Sequence, residues 1–98
     1  MTNDKIECQT PTPGKKPVRI PRWKYETVRA AILQVLRETP GLEFRELSAA
    51  VREKIGDETL TRLGSLSWHV TTVKLDLETR GEVQRLSGKG PQRLSLTK

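Results

Sequence analysis

Between Tyr25 and Glu38 the apolar residues Val28, Ile32, Val35 and Leu36 fall at i, i+4, i+7 and i+8, the spacing of one face of a helix. Ala30, Ala31 and Leu33 add helix propensity, and Thr39-Pro40-Gly41 stops the run. Phe44, Leu47, Val51 and Ile55 repeat the same period and predict a second helix that ends at Gly56. The stretch "GDETLTRLG" that follows is a connection with room for one short helical turn. A third helix is expected from about Ser65 to Arg80, with Gly64 or Ser65 as its cap and Gly81 as a left-handed stop. On it Leu66, Val70, Val73 and Leu77 share one stripe, which must face the core, whereas Trp68, Thr72, Leu75 and Thr79 fall almost opposite. A helix that is apolar on one side and half apolar on the other needs two partners.

After Gly81 the rhythm changes to alternation. Residues 82–87 and 92–97 read as two short strands joined by Ser87-Gly88-Lys89-Gly90-Pro91, with Val83, Leu94 and Leu96 pointing inward. Ahead of the first helix, residues 1–22 hold four of the six prolines and cannot be helical before Pro21. "TPTPGKKP" lies between two segments with strand-like residues, "KIEC" and "VRI", so this arm is either flexible or a loose hairpin. The expected organisation is therefore a basic proline-rich arm, 1–22, and a three-helix α+β domain with a C-terminal two-stranded hairpin, 23–98. Its core is assigned to Val28, Ile32, Leu36, Phe44, Leu47, Val51, Leu66, Val70, Val73, Leu77 and Val83.

That order of elements resembles a winged helix-turn-helix domain. "LETRGEV" is similar to the junction at which the third helix of that fold ends, a glycine turns the chain and a valine enters the first strand of the wing. More narrowly, "PTPGKKPVRI" and "KYETVRAAIL" together with "SWHVTTVKLDLETRG" are similar to an uncharacterised group of small bacterial winged-helix proteins. The resemblance implies DNA binding, with the hairpin as the wing and the third helix in the position that enters the major groove.

Charge supports this direction. The formal net charge is +6 and its excess lies at the two ends of the chain. Residues 1–24 carry six cations against two carboxylates and residues 81–98 four against one, whereas 25–56 balance at five each and 57–80 hold three against four. Clustered cations attract a polyanion, and nucleic acid is the commonest in a cytoplasm. The cations expected on the phosphate backbone are Lys15, Lys16, Arg19 and Arg22 in the arm and Arg85, Lys89 and Arg93 in the wing. Glycines 88 and 90 would carry Lys89 outward at the wing tip.

The third helix is a poor reader of bases. It has no asparagine or glutamine, and its cations are Lys74 and the terminal Arg80. Its outward positions are expected to be Ser65, Ser67, His69, Thr71, Thr72 and Asp76, of which Ser67, Thr71, Thr72 and Lys74 are the candidate contacts. Asp76 and Glu78 would repel phosphate unless cations neutralise them. Expected binding is to double-stranded DNA, salt-dependent and with limited sequence preference, as a small transcriptional regulator or accessory factor. The competing class is a docking module that binds protein through Trp68 and Leu75.

An enzyme is the least favoured class. His69 has no partner for a charge relay, there is no Walker loop or GxGxxG, and "SGKGP" lacks the helix a phosphate-cradling loop requires. No cofactor or metal is implied: the single cysteine, Cys8, forms no CxxC or Cys/His pair. The absence of a signal-like or membrane-length apolar run points to a cytoplasmic protein. A 98-residue chain buries only roughly two-thirds of its unfolded surface, so a homodimer is expected to help stability.

Overall fold

A computed structural model describes residues 4–10, 14 and 16–97 of the chain. In chain order the elements are β1 (Lys5–Cys8), β2 (Val18–Pro21), α1 (Arg22–Glu38), β3 (Leu42–Glu43), α2 (Phe44–Arg52), α3 (Asp57–Leu63), α4 (Leu66–Thr79), β4 (Val83–Leu86) and β5 (Arg93–Leu96). The described residues form an α+β arrangement of four helices and two small antiparallel sheets, one ordered β1-β2 and the other β3-β5-β4. Among the described residues no helix is long and apolar enough to cross a membrane.

The helices arise where the apolar period places them, and their ends have local causes. Pro21, with φ −56°, stands directly before α1, so the helix begins three residues earlier than its apolar pattern. At the end of α2, Lys54 N–H donates to Val51 and Ile55 N–H to Arg52, tightening the last turn while keeping Ile55 buried. Ser65 caps α4, its Oγ accepting from Trp68 N–H at 3.3 Å. After α4, Gly81 at φ 81° lets its N–H reach Glu78 O and the N–H of Glu82 reach Leu77 O, the paired bonds of a Schellman stop. An alanine there would have to hold the same left-handed backbone.

Two elements depart from the sequence reading. The connection 56–64 is a two-turn helix, α3, with acidic residues in its first turn and Leu63 fully buried, so there are four helices where three were expected. Leu42 and Glu43 form a third strand on the C-terminal hairpin, pairing Leu42 with Leu94 and Glu43 with Arg93. Two residues are too few to show alternation. Of the two expectations for the N-terminal segments, strands β1 and β2 form the paired hairpin, in register Lys5↔Pro21, Ile6↔Ile20, Glu7↔Arg19 and Cys8↔Val18.

One hydrophobic cluster joins all these elements. Val28, Ile32, Leu36, Leu47, Val51, Leu63, Val70, Val73, Leu77 and Leu94 are its most enclosed members, and Cys8 and Ile20 bring the N-terminal hairpin into it. Phe44, expected in the core, is only partly buried at its edge, where its ring lies 4.4 Å from the Lys74 ammonium. Burying each enclosed leucine, isoleucine or valine side chain contributes about 1.5–3 kcal/mol before entropy is counted.

Candidate nucleic-acid interface

The outward face of α4 carries Ser67, Trp68, Thr71 and Thr79, all exposed, with Thr72 and Leu75 half-buried at its side. Trp68 is 45% exposed. The face is framed by two β-ribbons because Asp76 and Glu78, two residues apart, point about 160° away from one another on a helix. Each carboxylate holds one ribbon.

Asp76 is 0% exposed and serves the N-terminal hairpin. Its Oδ1 accepts the Gln9 backbone N–H at 2.8 Å, and its Oδ2 accepts the Tyr25 hydroxyl and Arg80 Nε, each at 2.6 Å. Arg80 also donates from Nη2 to the Glu7 carbonyl at 3.5 Å. Burial, and then the carboxylate of Asp76, push the nearby Cys8 thiol up to about 11, and the same two causes raise Tyr25. The hairpin meets α4 along a groove of about 210 Å³ lined by Cys8, Gln9, Lys16, Val18, Thr72 and Leu75 among others. Lys16 therefore stands beside the outward face of α4.

Glu78 serves the C-terminal hairpin, β4-β5. Its Oε2 lies 2.9 Å from Lys74 Nζ and its Oε1 accepts from Arg85 Nε at 3.1 Å, while Lys74 also donates to Gln92 Oε1 at 3.2 Å. Burial holds the Lys74 ammonium below its ordinary range, and the carboxylate of Glu78 works against that. The two acids that threatened to repel phosphate are thus enclosed and matched by Arg80, Lys74 and Arg85.

Lys74 must be corrected as a candidate contact: at 2% exposure it faces the wing and the ring of Phe44, not solvent. Asp76 and His69 were expected outward and are buried instead. His69 Nδ1 lies 2.7 Å from Ser65 O, and its ring meets Trp68 edge-on at 4.9 Å. Of the other predicted residues, Ser67, Thr71 and Thr72 share the outward face, and Lys89 is exposed at the tip of the β4-β5 hairpin between Gly88 and Gly90, both at positive φ. Arg85 lies on the α4 side of the wing. Arg93 lies on its other face, donating to Gly41 O at 3.0 Å and standing 3.3 Å from Glu43. Strand alternation likewise turns Arg19, across from Glu7, away from α4, and Arg22 is paired with Asp4. Lys15 lies outside the described residues.

Asp76 is the important side chain that sequence reasoning misplaced. It sits between Leu75 and Leu77, and besides Arg80 one turn on, the buried carboxylate there is satisfied by Tyr25 and a docked hairpin, neither visible from helix period.

The pattern of one protein family matches residues 5–94, nearly the whole chain. The chain belongs to a family of unknown function, DUF6958. No curated protein and no solved structure matches it. The DUF6958 match begins at the first residue of β1 and ends within β5, so the family unit takes in both ribbons as well as the helices.

Proposed function

We propose that this protein binds double-stranded DNA as a winged helix-turn-helix, laying the outward face of α4 against the duplex with a ribbon on either side. The observation that carries the reading is the framing of α4: hydroxyls of Ser67, Thr71 and Thr72 lie between a wing bearing Arg85 and Lys89 and a hairpin bearing Lys16. Support also comes from the helices α1, α2 and α4 and the sheet order β3-β5-β4, with α3 as an elaboration of the turn between the last two helices. Lys16 and Lys89 make no ion pair among the described residues, so phosphate meets no competing carboxylate at either. The outward face has no arginine, asparagine or glutamine. Affinity therefore comes from the backbone and from shape, with little base discrimination.

Titrating a mixed-sequence duplex at about 50 and about 200 mM salt tests this. Three phosphate contacts, from Lys16, Arg85 and Lys89, predict roughly 40-fold weaker binding at the higher salt. No binding at low salt, or binding indifferent to salt, overturns it. The second reading, docking of a protein partner or a second copy of this chain, is favoured by the exposure of Trp68. Sedimentation in which the native chain self-associates and Trp68→Ala does not would favour that reading.

A further inference from the structure

We infer that the N-terminal hairpin is a second DNA-binding ribbon and that Asp76 is the positioning residue that sets it beside α4. The inference rests on the DNA reading above and adds to it the part that places Lys16.

A two-stranded hairpin is at best marginally stable alone. Among the described residues this one has no third strand, and β1 and β2 present Ile6, Cys8, Val18 and Ile20 toward the domain. Ile6 is only partly buried and Val18 is exposed, which leaves Cys8 and Ile20 as enclosed anchors. Covalently the hairpin is tied at its β2 end, where Pro21 runs into α1 and Arg22 N–H extends the pairing to Asp4 O at 2.9 Å. The opposite end, toward Gln9 and Lys16, has no such link. Beside the buried Cys8, Asp76 holds it: the bond from Gln9 N–H fixes the chain one residue past β1, and Arg80, oriented by the same carboxylate, reaches Glu7 O. Tyr25 fixes the carboxylate from α1. Three elements thus meet on one side chain, and the groove beside it is where Lys16 adjoins Thr72 and Leu75. Without Asp76 the end of the hairpin that bears Lys16 loses its registration on α4, although β1 and β2 remain part of the chain.

The test combines hydrogen exchange with a double-mutant cycle on the full chain. In Asp76→Asn, amides of β1 and β2 should exchange at least about tenfold faster relative to those of β4 and β5, a local opening rather than a global one. Lys16→Gln should lower the magnitude of the salt slope by about 0.9 in the native background and leave it unchanged in the Asp76→Asn background. Hairpin amides that keep their relative rates, or a Lys16→Gln effect of equal size in both backgrounds, overturn the inference. If Asp76→Asn does not fold, Tyr25→Phe keeps the carboxylate, removes one of its anchors and should give smaller changes in the same directions; no change overturns it. Failure of the native chain to bind DNA would sink the functional reading alone, since the exchange result stands without DNA.

Discussion

The two ribbons beside α4 are both antiparallel hairpins with four-residue strands, yet they are held in different ways. The C-terminal hairpin starts directly after the Schellman turn of α4, gains a third strand from Leu42 and Glu43, and sends Val83 and Leu94 into the core. Backbone ladder and apolar burial fix it, and Glu78 adds to a position already determined. The N-terminal hairpin also sends two side chains, Cys8 and Ile20, into the core, but among the described residues it has no third strand, and its far end is tied to α4 by hydrogen bonds to one buried carboxylate. A ribbon fixed by its backbone tolerates loss of a polar contact, whereas one fixed by a polar hub does not.

The largest effect expected from this contrast is Asp76→Ala. It strips the Tyr25 hydroxyl, Gln9 N–H and Arg80 of their acceptor in a site with no exposure, and should cost about 3–5 kcal/mol in urea denaturation. Glu78→Gln should cost about 2 kcal/mol, because Arg85 is half exposed and the buried Lys74 keeps Gln92 and can shed its proton. Equal losses at the two positions would break the contrast.

Alkaline pH should separate the ribbons by sign. Cys8 and Tyr25, on the hairpin side, have folded values raised above their unfolded ones. Their contribution is complete below the unfolded values, roughly 8.5 for a thiol and 10 for a phenol, and is lost as pH rises, for Cys8 through about 11. Lys74, on the wing side, is lowered, so its burial costs stability at neutral pH and that cost shrinks as pH approaches the ordinary lysine value of about 10.4. Thermal midpoints measured between pH 7.5 and 10.5, roughly the window set by those values, should fall less steeply in Cys8→Ala than in the native chain. They should fall more steeply in Lys74→Met. The smallest effect on stability is expected at the wing tip: Lys89→Gln should change it by no more than about 0.5 kcal/mol. The same variant should still reduce the salt slope of DNA binding by about 0.9.

The C-terminal hairpin was legible in the sequence because alternation and a glycine-rich turn are local signals, as were the stripes of Val28, Ile32 and Leu36 and of Leu66, Val70 and Leu77. Strand β3 and helix α3 were not, since two residues carry no period and Leu63 is one enclosed side chain in a short polar helix. At the candidate interface Ser67, Thr71 and Lys89 are exposed, as helix and turn geometry alone lead one to expect. Lys74, Asp76 and His69 were misplaced for a common reason. Polar residues on a helix are assigned outward by default, and their burial, for Lys74 and Asp76 by a hairpin on either flank of α4, is a tertiary fact.

Whether α4 itself meets DNA can be read most directly from Trp68. In a Trp23→Phe variant Trp68 is the sole tryptophan, 45% exposed on the face assigned to the duplex. Adding mixed-sequence duplex at low salt should change its emission, saturate at the concentration where binding saturates, and reverse when salt is raised. Binding that saturates while Trp68 emission stays unaltered would place DNA elsewhere on the molecule and contradict the assignment of α4.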